Sequence, residues 1–148
     1  MADFRFTLSQ GEIARQISAL LNTQNKLFTT HTKYSILNAP GHYFVEVSDG
    51  KVVGCVCLVK THSNLSLIKH LSVHLDYQRR GIASRLMSTA INAAETEIVY
   101  MTVRDDNLAC LSLALAFNYT IAGKTWSRDH FVYTLGRSAN ANPVSKKS

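Results

Sequence analysis

The chain has 148 residues, 46% hydrophobic and 18% charged, with a formal net charge of +6. That length suits one domain with one core, and that apolar content excludes a disordered chain. No run of about 18 apolar residues occurs, so no membrane-spanning helix is expected.

The stretch Phe4–Leu8 reads as a short strand. Ser9 with Glu12 three residues on forms a capping-box pattern ahead of a helix. Ile13, Ile17, Leu20 and Leu21 recur at helical spacing and give that helix one apolar face. From Gln24 to Pro40 the pattern is mixed and allows a second short helix.

His42–Val47 alternates and is rich in strand formers, and Asp49-Gly50 is a hairpin turn signal. Val52–Val59 reads as the return strand. Thr61–Asn64 reads as another turn, and Leu65–Leu75 as the next strand, with Leu65, Leu67, Lys69, Leu71, Val73 and Leu75 on one face. Helical spacing returns over Ile82–Glu95, where Ile82, Leu86, Ala90, Ile91 and Ala94 form an apolar stripe.

Glu97–Val103 reads as a strand, and Arg104–Asn107 supplies capping residues for an apolar helix over Leu108–Phe117. Two last strands, Tyr119–Trp126 and His130–Gly136, flank the loop SRDH. The expected arrangement is an α/β (α+β) fold, with a mixed and mostly antiparallel sheet of six to seven strands and about four helices. A strand–helix–strand unit in its middle implies a local parallel pair with a right-handed crossover. Residues 1–136 read as a single domain and residues 137–148 as a polar, mobile tail.

The N-terminal stretch shows no basic segment followed by an apolar one, so no secretory leader is expected, and the cysteines are three, Cys55, Cys57 and Cys110. An odd number in that setting favours reduced thiols and a cytoplasmic chain. Cys55 and Cys57 fall on one face of a strand, as buried small hydrophobes or as part of a metal site. No histidines stand at ligand spacing from them, so no metal is expected. The net charge permits an anionic ligand, an acidic surface or nucleic acid. No helix-turn-helix, zinc or aromatic–basic pattern supports nucleic acid.

The informative stretch is DYQRRGIASRLM, Asp76–Met87. A strand ends before it and a helix begins within it. Helix N-termini carry unpaired N–H groups and partial positive charge. Gly81 removes the Cβ that would keep an anion off the backbone, and Arg79 and Arg80 add charge at the rim. Alone, the stretch is also compatible with an exposed basic turn. It is neither a Walker loop nor G-x-G-x-x-G.

This stretch resembles motif A of the GNAT superfamily, the Gcn5-related N-acetyltransferases, whose signature is Gln/Arg-x-x-Gly-x-Gly/Ala. Gln78, Arg79, Arg80, Gly81, Ile82 and Ala83 match it. The family also carries Asn-x-x-Ala-x-x-Leu-Tyr and then Gly-Phe. Here Asn107 and Leu113 match, while Cys110, Ala114, Asn118 and Tyr119 replace the Ala, Tyr, Gly and Phe. The likeness covers about Phe4 to Gly136, and the order of elements agrees.

The resemblance implies transfer of an acetyl group from acetyl-coenzyme A to an amine acceptor. It implies cofactor contacts from Leu71, Ser72 and Val73 and from Gln78 through Ser84, with Asn107 downstream. The Val73 N–H is the implied donor to the thioester oxygen. The usual acid, a Tyr, is Ala114 here. The two usual Glu positions for a base are Lys69 and Thr102. Tyr100, Tyr119 and Tyr133 are candidate substitutes for the acid, with water as another.

His70 is the candidate base because imidazole titrates near neutrality. Yet strand neighbours face opposite ways, so His70 faces away from a Lys69-side site unless a bulge intervenes. Glu46 is either solvated or aimed at the acceptor. Asp129, in SRDH, is a candidate to hold a cationic amine, with a solvated turn as the alternative. His74 and Asp76 read as structural or rim residues, and Trp126 as packing. A coenzyme A-binding module without catalysis is the runner-up. Homodimers are common in the family, and nothing in the sequence specifies an interface.

Overall fold

The computed structural model describes residues 8–24 and 30–138. The expected first strand lies, apart from Leu8, outside them, as does the tail beyond Ser138. In chain order the elements are α1 (Gln10–Gln24), α2 (Lys33–Leu37), β1 (His42–Ser48), β2 (Lys51–His62) and β3 (Leu65–Val73). A 3-10 turn (Leu75–Tyr77), α3 (Ile82–Ala93), β4 (Ile98–Arg104), α4 (Leu108–Ala116), β5 (Thr120–Ser127) and β6 (His130–Ser138) follow. The strands form one mixed sheet in the order β1-β2-β3-β4-β6-β5. The chain divides into two compact units: its N-terminal part through Cys57 with His70–Ala90, and Leu58–Lys69 with everything from Ile91.

In the first unit, Ser9 caps α1. Its Oγ accepts from the Glu12 N–H at 3.1 Å, and its carbonyl accepts from Ile13 at 2.9 Å. Only this half of the expected capping box forms. The Glu12 carboxylate instead takes Arg15 and Gln16, at 2.6 and 2.8 Å. The Arg15 hydrogen bond holds the Glu12 carboxyl down to about 2. Behind this polar edge, Ala14, Ile17, Leu20 and Leu21 pack with Ile36, Val52 and Cys55.

Thr32 and Ser35 make the reciprocal capping box of α2. Between β1 and β2, Asp49 and Gly50 both take positive φ, 54° and 75°. A type I′ hairpin turn requires that, as the Asp-Gly pair predicts. Gly54 in β2 lies against α3. A Cβ there would meet Ile82 Cγ2 at 2.7 Å and Leu86 Cδ1 at 3.0 Å.

The turn after β2 is shorter than expected, because β2 runs to His62 and β3 starts at Leu65. The shared face expected of β3 is its less covered one. Ser66, Ile68 and Ser72 are its buried residues, while Leu65, Leu67, Lys69, Leu71 and Val73 are half-buried. Leu75 lies beyond the strand and is exposed. Apolar residues stand at both parities of this strand, so its pattern does not say which side is covered.

In the second unit, β3 pairs parallel with β4 at Leu65↔Ile98, Ser66↔Val99 and Leu67↔Tyr100. The strand–helix–strand order predicts such a pair. β4 pairs antiparallel with β6 along its whole length, and β5 pairs with β6, with an irregularity between Ile121 and Gly123. The hairpin loop shrinks to Arg128-Asp129, with Arg128 left-handed at φ 57°.

α4 ends in a Schellman motif. Tyr119 N–H donates to Ala114 O at 3.1 Å and Asn118 N–H to Leu115 O at 3.0 Å. Asn118, where the family pattern has Gly, takes φ 69°. The apolar content of α4 does not translate into burial: Ala114 is its one buried residue, and Leu108 is 69% exposed.

Candidate active site

The site is built from the end of β3 onward, within the first unit. The His74 N–H donates to Val53 O at 2.8 Å, which anchors the strand end. His74 Nδ1 then accepts from the Asp76 N–H at 3.1 Å and caps the 3-10 turn. His74 is thus structural, and Asp76 sits on the rim.

Gln78 Nε2 donates to Val73 O at 3.3 Å and closes the loop over the strand end. Arg79 takes φ 66° and Gly81 φ 80°. Left-handed residues in a turn aim successive N–H groups into one concavity. The Gly81 carbonyl accepts from the Arg85 N–H at 3.0 Å, so α3 begins at this glycine. The N–H groups of the first helical turn, reaching Ala83 and Ser84, have no intrahelical acceptors. At the loop, then, a helix N-terminus carries its own bare donors and positive dipole end.

The side chains around the loop brace it rather than fill it. The Tyr77 hydroxyl donates to Asp49 Oδ2 at 2.9 Å. Arg80 lies over the Tyr77 ring at 4.8 Å, and Lys51 lies 5.2 Å from the same ring. Arg80 also donates to Asp76 O at 3.3 Å. Arg85 Nη1 donates to Arg80 O at 3.2 Å, and the rest of its guanidinium forks onto Glu46. Glu46 is therefore neither simply solvated nor free to meet a ligand. It fastens β1 to α3, a role its alternating strand does not advertise. Ile82 is buried, so only its backbone faces the loop.

Upstream on the same strand, His70 takes φ 60°, a left-handed residue inside β3. Its Nδ1 lies 2.7 Å from the Tyr43 hydroxyl, and its carbonyl accepts from Cys55 Sγ at 3.4 Å. The His31 ring meets the His70 ring edge-on, with centroids 4.8 Å apart. Asn22 presents His31 by bonding both its N–H and its carbonyl, each at 2.8 Å.

Burial pushes the Cys55 thiol up to about 12 and drives the Tyr43 phenol well above its ordinary value. Cys55 and Cys57 are fully buried, and no cluster of metal-ligating residues occurs among the described residues. Ser72, two residues further along β3, is buried with no hydrogen-bond partner for its Oγ. Sequence reading missed Tyr43, His31 and Asn22. Nothing local in the chain marks them.

In the second unit, Asn107 is the N-cap of α4, and its Oδ1 accepts from the Cys110 N–H at 3.2 Å. Ala114 is fully buried. Tyr119 is buried too, its hydroxyl is without a partner, and burial raises the phenol. Tyr100, Thr102 and Tyr133 stand on β4 and β6 opposite Gly136, Thr134 and Val103. The Asp129 carboxylate bonds His130 Nδ1 at 2.9 Å, which lowers its pKa. Trp126 is not simple packing: it sits edge-on to Phe131 at 4.8 Å yet is 57% exposed.

The family profile described as "Acetyltransferase (GNAT) family" matches residues 14–119, most of the chain, and the chain belongs to that family. Its members use acetyl-coenzyme A as cosubstrate. Among solved structures, Ard1 from Thermoplasma volcanium is 21% identical, covering 88% of this chain and 93% of its own, with a TM-score of 0.76. The ribosomal-protein-S18-alanine N-acetyltransferase from Escherichia coli is 12% identical, covering 91% and 93%, with a TM-score of 0.71. The putative acetyltransferase yncA from Salmonella typhimurium, solved with acetyl-coenzyme A, is 14% identical, covering 95% and 96%, with a TM-score of 0.69. At these identities the likeness is one of fold. No curated protein matches. No helix among the described residues is long and apolar enough to cross a membrane.

Proposed function

We propose that the chain is an N-acetyltransferase that moves an acetyl group from acetyl-coenzyme A to a primary amine of a small molecule or peptide by direct attack. The observation that carries this reading is the cradle at Gly81. Its φ of 80° opens the start of α3, one short turn after the strand that the family uses to hold the cofactor. Bound there, acetyl-coenzyme A supplies the activated acyl group. Arg79 through Ser84 hold its pyrophosphate through backbone N–H groups, with Gln78 keeping the loop closed. Leu71, Ser72 and Val73 line its pantetheine arm, and Asn107 is assigned to the cofactor side as well.

The Val73 N–H faces the oxygen on which negative charge develops. A neutral amine is required, so its proton must leave before attack, and His70 adjoins that strand segment as the candidate base. A thiol with a pKa of about 8.5 leaves without an acid, so the absence of a tyrosine at Ala114 does not prevent turnover.

Purified protein is expected to gain thermal stability saturably with acetyl-coenzyme A. Gly81→Asp, folded by circular dichroism, is expected to lose that gain, because an aspartate Cβ is strained at this φ and its charge repels phosphate. An equal shift in both proteins overturns the reading. A second reading is a coenzyme A-binding module without catalysis, favoured by buried Ala114 and by Lys69 and Thr102 at the usual carboxylate positions. Thermal shift without thiol release across a panel of amines supports that alternative.

A further inference from the structure

Within the acetyltransferase reading, we infer that Arg85, aimed by Glu46, holds the Arg80–Gly81 peptide in the orientation that offers the Gly81 N–H to the pyrophosphate of the cosubstrate. Arg85 is then a positioning residue for the cosubstrate, and Glu46 positions Arg85.

The inference starts from the glycine. Gly81 opens the cradle at φ 80°, and a glycine adopts either sign of φ with similar ease. Turning the Arg80–Gly81 peptide over changes ψ of Arg80 and φ of Gly81 together. The residue that lets a phosphate approach therefore puts no steric stop on the peptide ahead of it. Turned over, that peptide would present a carbonyl oxygen to the anion in place of an N–H.

Arg85 is placed to prevent this. Its Nη1 donates to Arg80 O at 3.2 Å. The same nitrogen would lie 3.3 Å from a Cβ built on Gly81, so it rests against the glycine as well as the carbonyl. The backbone N–H of Arg85 donates to Gly81 O at 3.0 Å. One residue thus holds the carbonyls of two successive loop residues. No peptide bond among the described residues is cis, and in a trans peptide the C=O and N–H point opposite ways. Fixing Arg80 O toward the guanidinium turns the Gly81 N–H away from it.

The guanidinium is itself held. Nε donates to Glu46 Oε1 at 3.1 Å, and Nη2 bonds the other carboxylate oxygen. A planar fork on a carboxylate has a fixed direction, which a lysine ammonium lacks. Both side chains are partly exposed. An exposed ion pair adds little to global stability, so its loss is expected to show in the loop more than in the melting temperature.

The rival role for Arg85 is a charge that attracts the phosphates directly. The two roles differ in sign at Glu46. Glu46→Gln removes a negative charge beside the site, so simple attraction predicts tighter binding of an anion. Positioning predicts weaker binding, because the fork is broken.

The first arm of the test is isothermal titration calorimetry with coenzyme A. Arg85→Gln is expected to weaken binding by roughly tenfold, the weight of one charged hydrogen bond. Arg85→Lys keeps the charge without the fork and is expected to match Arg85→Gln, and Glu46→Gln is expected to bind more weakly than wild type. Full recovery in Arg85→Lys, or tighter binding in Glu46→Gln, overturns the inference.

The second arm is nitrogen-15 relaxation dispersion at the Gly81 amide of the unliganded protein, which reports exchange on the microsecond to millisecond scale. A flat profile is expected in wild type and exchange broadening in Arg85→Gln. Equal profiles in the two overturn the inference. If wild type binds no coenzyme A, the acetyltransferase reading fails, and the dispersion arm still decides whether Arg85 holds the peptide.

Discussion

Asn107 caps a helix, and a cofactor contact is proposed for the same side chain. Its Oδ1 accepts from the Cys110 N–H and opens α4. Asn107→Ala is expected to cost about 1 kcal/mol of stability, the usual loss of an N-cap. Asn107→Ser should restore most of it. A raised KM for acetyl-coenzyme A that persists in Asn107→Ser after the melting temperature recovers marks a contact beyond capping. A KM that recovers with stability leaves capping as the whole role.

Residues of this kind were legible in the sequence because a cap acts over three positions of chain. Gly81 was legible for the same reason: a loop turning into a helix calls for positive φ at a residue without a side chain. His70 was not legible in the same way. Its left-handed backbone sits in mid-strand, and its partner Tyr43 lies 27 residues away.

At the scale of elements, the cradle depends on how α3 lies against β2. Gly54 permits the approach, since a Cβ there would overlap Ile82 and Leu86. Gly54→Ala is expected to destabilise the protein by about 1–3 kcal/mol, the range for overpacking a close contact. Because Ile82 and Leu86 belong to the first turns after Gly81, the same substitution should weaken acetyl-coenzyme A binding. Chemical denaturation and isothermal titration calorimetry measure the two effects. Unchanged affinity in a destabilised variant separates the loop from the packing beneath it.

The elements themselves were largely readable from periodicity and turn residues. Helix α3, β4 and the Asp49-Gly50 hairpin fall within a few residues of expectation. Which face of β3 is covered was not readable, because apolar side chains stand on both parities of that strand. The burial of α4 was not readable at all. Its sequence is apolar on every side, yet Leu108 and Leu115 are exposed.

For the whole molecule, the net charge of +6 and the anionic cosubstrate of the family have a measurable consequence. Attraction between them is screened as ionic strength rises, with a Debye length of about 10 Å at 0.1 M salt. The KM for acetyl-coenzyme A is therefore expected to increase with added potassium chloride. A flat response assigns the binding to the short-range N–H groups of the loop and leaves the general field without a role.

By itself, the sequence determined what neighbours along the chain can settle: the caps, the Asp-Gly hairpin, the order of elements and a glycine loop ahead of a helix, which together carry the family. Only the tertiary structure decided the surroundings of His70, the Glu46–Arg85 fork across 39 residues, and the closeness of Gly54 to α3. The reason is physical. Backbone conformation near a turn or helix end follows from sterics and hydrogen bonding over a few residues. The environment of a half-buried imidazole follows from whichever side chains the packed sheet brings against it.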